Sequence, residues 1–181
     1  MKRSRQIIVL SALALLTACS YNHNDYSCFT DIDPVEGWDY ARTLVYMPEP
    51  ADSIAEGMLL FYVRHSNDYP YSNLWIEVES QQPLPDGHVA ARLDTFCIEL
   101  ADIYGNWYGK GRGTSFQLTD TLATRMLLPA DAPLRLRHIM RPEHVKGIEK
   151  VGLIFKALQP TPNNEHQHLS AIRLRAGGAN R

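Results

Sequence analysis

Leu74-Trp75-Ile76-Glu77-Val78-Glu79 is the stretch on which the fold class turns. Apolar residues recur there at every second position. That is the period of a strand with one buried face, because successive side chains along a strand point to opposite sides. Leu74, Ile76 and Val78 are expected inward, with Trp75, Glu77 and Glu79 outward. Working outward, Met58-Leu59-Leu60-Phe61-Tyr62-Val63-Arg64 sets Leu59, Phe61 and Val63 on one face. Residues 94–100 do the same with Phe96, Ile98 and Leu100. Leu134-Arg135-Leu136-Arg137 and Val151-Gly152-Leu153-Ile154-Phe155 add two more strands, Thr114-Ser115-Phe116-Gln117-Leu118 another, and residues 38–47 are expected as the first. Between them lie Pro83-Leu84-Pro85-Asp86-Gly87, residues 105–113 and residues 129–133, all rich in turn formers. Strands that alternate, instead of being apolar throughout, belong to antiparallel sheets with one wet face. The expectation is an all-β, antiparallel β-sandwich, Ig-like or jelly-roll-like. It forms a single domain over 31–158, with short helical connections at 119–128 and 142–148. Residues 159–181 are read as a polar tail with room for one weak terminal strand at 169–174.

The N-terminus carries a different signal. Lys2, Arg3 and Arg5 precede Ile7-Ile8-Val9-Leu10-Ser11-Ala12-Leu13-Ala14-Leu15-Leu16. That run of about ten residues suits a signal-peptide core and is half of what a membrane span needs. It ends in Leu16-Thr17-Ala18-Cys19, an aliphatic residue and two small ones before a cysteine, which is the lipobox pattern. Residues 1–18 are therefore expected to be an export signal. Cys19 becomes the lipidated first residue of the mature chain, and 19–30 is read as a linker to the domain. Several acyl chains, each worth about 0.8 kcal/mol per buried CH₂, would hold such a chain at a membrane. The full chain has 18 basic and 20 acidic side chains. Three basic residues leave with the leader, so the charge of −2 becomes −5, and nucleic acid is not an expected partner. With Cys19 acylated, Cys28 and Cys97 remain; they could pair in an oxidising periplasm, and a count of two does not decide it.

No constellation of reactive side chains stands out, and neither a cofactor nor a metal is expected. Gly105-Asn106-Trp107-Tyr108-Gly109-Lys110-Gly111-Arg112-Gly113 lacks the Ser or Thr after lysine, and the following helix, that a phosphate-cradling loop requires. A hairpin connection in which glycines permit positive φ explains it better. Gly-x-Ser-x-Gly and His-Glu-x-x-His are both missing. Glu165-His166-Gln167-His168 aligns two imidazoles but offers no further ligand nearby, so a solvated tail is preferred. Glu77 and Glu79 share a strand face, as a pair of glycosidase carboxylates would, yet alternating acids are more often a wet surface. Tyr62 and Trp75, with Trp38 and Tyr40, are candidates for an outward aromatic platform. The simpler expectation is that a loop or the second sheet covers them.

Taken in order, Arg64, Tyr69-Pro70-Tyr71-Ser72-Asn73-Leu74-Trp75, Asp94-Thr95, Gly105-Asn106-Trp107-Tyr108-Gly109-Lys110-Gly111, Met140-Arg141, Gly147-Ile148 and Val151-Gly152 resemble the gliding-motility lipoprotein GldH family of the Bacteroidetes. The likeness runs from about Trp38 to Phe155, and the lipobox agrees with it. The resemblance implies a small, non-enzymatic envelope lipoprotein, accessory to gliding motility and type IX secretion through protein–protein contacts with that machinery. Surface-exported lipoproteins carry acidic residues directly after the lipidated cysteine. Here Ser20-Tyr21-Asn22-His23-Asn24 follows, and the periplasmic face of the outer membrane is expected instead. Arg64, Tyr71, Asn73, Trp75, Asp94, Trp107 and Arg141 are the candidate partner-binding face. Within it, Arg64 and Asp94 are expected to pair, and Asn73 to bond loop backbone groups. The alternative from another functional class is a carbohydrate-binding module that stacks envelope glycans on the outward aromatics.

Overall fold

The computed structural model describes residues 24–158 except 51, 85 and 87. Cys19, the leader, the 165–168 stretch and the terminal strand expected at 169–174 lie outside the described residues. All regular structure within them is β. In chain order the strands are β1 (Tyr26–Asp31), β2 (Trp38–Asp39), β3 (Leu44–Tyr46), β4 (Ile54–Ser66), β5 (Asn73–Pro83), β6 (Val89–Glu99), β7 (Lys110–Arg112), β8 (Ser115–Pro129), β9 (Leu134–His138), β10 (His144–Val145) and β11 (Ile148–Ala157). One sheet has the order β1-β11-β4-β8-β7 and the other β3-β9-β5-β6, while β2 and β10 form a two-stranded ribbon. Every pairing is antiparallel. The alternating sequences thus produce the sandwich they imply.

Leu59, Phe61 and Val63 of β4 meet Leu74, Ile76 and Val78 of β5 across the interior, with Leu153 and Phe155 of β11 and Leu134 and Leu136 of β9 beside them. Each such side chain, buried in full, contributes about 1.5–3 kcal/mol. Two histidines extend the inward phase of their strands. His65 follows Val63 and His138 follows Leu136, and both are completely buried.

Several expectations are corrected. Residues 119–128 are not helical but the middle of β8, and residues 142–148 are a turn that carries β10. Leu118, Leu122 and Met126 recur every fourth residue, as on a helix face. A spacing of four is even and keeps to one face of a strand as well; the register with β4 in addition slips twice, with Gly57 facing Met126, Leu59 facing Ala123 and Leu60 facing Thr121. Bulged residues break the period of two. Residues 26–30, assigned to the linker for their polarity, belong to β1, which pairs with β11 from Tyr26↔Phe155 to Asp31↔Lys150. As an edge strand, β1 half-buries only Tyr26, Cys28 and Thr30, so its apolar signal is weak. The single strand expected over 38–47 is split into β2 and β3 by an Asx turn, in which Asp39 Oδ1 accepts the Ala41 amide at 2.7 Å. Cys28 lies on edge β1 and Cys97 on edge β6 of the opposite sheet, and both are free thiols.

Candidate functional site

At the end of the sandwich where β4 finishes, the chain turns through residues 67–72 into β5. The turn is fixed from three sides. The Ser66 amide donates to Gly147 O at 2.8 Å, the Asn67 amide to Thr114 O at 2.7 Å, and the Leu100 amide to Ser72 O at 2.7 Å. Gly147, at φ 83°, lies so close to Tyr69 that a Cβ there would come within 2.8 Å of the Tyr69 Cα. Pro70 holds the chain extended, and the buried Tyr69 donates its hydroxyl to Asn73 O at 2.8 Å. Asn73 therefore serves this loop through its backbone carbonyl, not through the side-chain bonds expected of it.

Trp107 comes back over the same end. Its indole N–H donates to Asn67 Oδ1 at 3.0 Å, and its ring stands edge-on to His65 with centroids 4.5 Å apart. Phe116 stacks on His65 at 5.9 Å and lies 6.1 Å from Trp107, and Tyr69 approaches His65 at 5.5 Å. The loop that delivers Trp107 is pinned by Gly109, at φ 85°, where any Cβ would sit 2.1 Å from Gln117 O. The Gly-x-Trp-x-Gly segment is thus a lid over the buried histidine, and Trp107 is spent on closing the fold. Burial lowers the His65 pKa, opposed by its bond to Ser66 O and by Glu149. Burial also raises the Tyr69 pKa.

Next to this lid, on the outer face of the four-stranded sheet, lies an open cleft of about 580 Å³ formed by Tyr71, Trp75, Thr95, Met140, Arg141 and their neighbours Ile139 and Pro142. Trp75 is outward on β5, as its alternation requires, and is 43% exposed. Its backbone is held against the 139–142 segment, since the Ile139 amide donates to Trp75 O at 2.9 Å and the Trp75 amide to Met140 Sδ at 3.3 Å. Tyr71 is propped edge-on against Tyr69 at 5.7 Å. Arg141 stands exposed at the rim with no carboxylate partner among the described residues. Aromatic rings with low side-chain entropy beside an uncommitted guanidinium are the composition of binding hot spots.

Of the seven residues expected to form one face, Tyr71, Trp75 and Arg141 are brought together here. Arg64 is on the five-stranded sheet and bonds Glu149 at 2.8 Å, while Asp94 bonds Arg92 at 2.7 Å, so the expected Arg64–Asp94 pair does not form. Tyr62 and Trp75 face outward from different sheets and cannot make a common platform, and Trp38 is wholly buried. Glu77 and Glu79 are bonded across the strand to Arg137 and Arg135, a charged ladder and not a free acid pair. Ile139 and Pro142 were missed in the sequence, although Met140-Arg141 flags their segment. Among the described residues, no three His, Cys, Asp or Glu side chains gather as metal ligands.

A family model described as GldH lipoprotein matches residues 26–154, from the first residue of β1 to near the end of β11, which bears out the resemblance. No curated protein matches the chain.

Proposed function

The chain belongs to the GldH lipoprotein family, and from that premise we propose that it supports gliding motility and type IX secretion by holding a protein partner in the Tyr71–Trp75–Arg141 cleft. The family is not one known as enzymes, and its lipoprotein character implies lipid anchoring to the envelope. In this proposal Cys19 carries the lipid, and the domain faces the periplasm from the outer membrane.

The observation that carries the proposal is the exposed Trp75 in an apolar cleft with an unpaired arginine. Its position supports the same reading. The chain enters the sheet at Tyr26, level with Phe155 and Leu59, whereas Trp75 lies just after the turn that follows the far end of β4, toward the other end of the sandwich. A domain tethered through its N-terminus would present this end away from its anchor.

The test is genetic and biochemical. In a host that glides and secretes through type IX, deletion should abolish both, and the wild-type gene should restore them. Trp75→Ala and Arg141→Glu should fold and localise normally yet fail to restore motility. Loss of a central tryptophan contact weakens binding by about 2 kcal/mol, or about thirtyfold. Crosslinking in the native envelope should capture a protein that these variants lose. Unchanged movement and secretion on deletion would remove the machine role, and full rescue by Trp75→Ala would remove the cleft. Recovery of glycan alone through Trp75 would favour a carbohydrate-binding module instead.

A further inference from the structure

Every lysine and arginine carried on a strand holds a carboxylate except Lys110 and Arg112, among the described residues. Both lie on β7 and project to the same side, being two residues apart. The register places them in a cationic surface. Lys110 stands opposite Gln117, Gln117 opposite Arg64, and Arg64 opposite Lys150, so these four side chains form one row across β7, β8, β4 and β11 on the outer face. Arg112 stands one step further along, opposite Ser115. Glu149 sits among them, accepting from Arg64 at 2.8 Å and from Ser115 Oγ at 2.8 Å, and Asp31 holds Lys150 at 2.9 Å. Two positive charges are left over in a chain that is otherwise net negative.

We infer that this face binds an acidic polysaccharide, whose carboxylates would be met by Lys110 and Arg112. The concavity there is about 610 Å³, with Gly111, Ser115, Phe116 and Gln117 between the charged groups. Its lining, which includes Phe116, is about as polar as it is apolar, whereas the cleft at Trp75 is mainly apolar. What this face offers is two positive charges about 7 Å apart along β7, amide and hydroxyl groups on the strand beside them, and a ring toward the far edge of the same sheet. That ring is Phe29, which lies across Gly152 against Tyr62 at 5.1 Å; a Cβ at Gly152 would come within 2.5 Å of it. Tyr62 in turn donates its hydroxyl to Gln117 Oε1 at 3.1 Å, joining the aromatic ledge to the charged row. A lipid surface is a poorer fit, because the row lies level with Asp31 while the chain enters at Tyr26, about 17 Å away along β1. This inference is independent of the cleft at Trp75.

The experiment uses the mature chain with its lipid cysteine replaced, and titrates it with polygalacturonate, neutral dextran of matched length and poly-glutamate. Polygalacturonate should bind, weaken as salt is raised, and weaken about fivefold to thirtyfold in Lys110→Gln/Arg112→Gln, the range that two exposed charge contacts give. Dextran should not bind, and Trp75→Ala should bind as the wild type does. An unchanged thermal midpoint in the double variant shows that the fold is intact. Failure of polygalacturonate to bind, or equal binding by the double variant, overturns the inference. Tighter binding of poly-glutamate than of polygalacturonate also overturns it, in favour of an acidic protein surface.

Discussion

Along one seam of the sandwich, β1 and β3 are tied by a hydrogen bond between Thr30 Oγ1 and the Tyr46 hydroxyl at 3.1 Å. Close by, Trp38 packs its wholly buried ring on His138 of β9, the neighbour of β3, with centroids 5.3 Å apart. Along the other seam, β6 and β8 stand on either side of a cleft of about 120 Å³ lined by Leu59, Val78, Phe96, Leu122 and Met126. Both of its edges are long and would invite a further strand, yet each is blunted. β8 carries two register slips, and β6 turns Arg92 and Asp94 toward the cleft in the phase of Phe96 and Ile98. Bulges and inward charges are the devices by which sheets avoid edge-to-edge aggregation. One seam is therefore closed by burial, and the other is left ajar but made unattractive to strands.

The largest expected effect lies on the closed seam. Trp38→Ala should cost about 3–5 kcal/mol, read as a fall in the urea midpoint. On the open seam, Leu122→Ala or Met126→Ala should cost about 1 kcal/mol, because those side chains are only partly buried. Equal losses at the two seams would break the comparison.

Acid should separate them further. Burial lowers the pKa of His138 below its ordinary 6.5, opposed by the nearby backbone of Trp38 and the Asp39 carboxylate and aided by His144. The unfolded chain then binds more protons than the folded one below about pH 6.5. Stability is therefore full above that pH and declines as pH falls through it. His65 adds to the same trend. Between pH 7 and 5, hydrogen-exchange protection factors, corrected for the intrinsic rate at each pH, should fall in β2 and β9 before they do in β6 and β8. The smallest effect on stability is expected from Arg92→Val with Asp94→Val, which should leave the thermal midpoint nearly unchanged. Sedimentation should instead reveal new self-association, and a strictly monomeric double variant would show that those charges do not guard the edge.

The comparison also explains what the sequence made legible. Strands in the middle of each sheet bury a complete face, so β4, β5, β9 and β11 are plain in the alternation of Leu59, Phe61 and Val63 or Leu74, Ile76 and Val78. Edges lose that signal. β1 half-buries only Tyr26, Cys28 and Thr30, and in β8 the spacing of four between Leu118, Leu122 and Met126 suits a helix face and a strand face alike. The cleft was half legible. Trp75 is outward by parity alone, whereas its walls at Ile139 and Pro142 come from a segment 65 residues away, joined by the Trp75–Met140 contact. Arg64 and Asp94 looked like partners because nothing in the sequence assigns them to different sheets. His65 and His138, which continue the phase of Val63 and Leu136, were readable and went unread.

The pairing of β1 with β11 also has a mechanical side. Residue 24 enters at one end of β1, and the exposed Trp75 lies toward the opposite end. Tension between the N-terminus and a partner seated there would run along the axis of β1. Antiparallel bonds lie across that axis, so a tug would strain all the rungs from Tyr26 to Asp31 at once, in shear, and would not peel them apart singly.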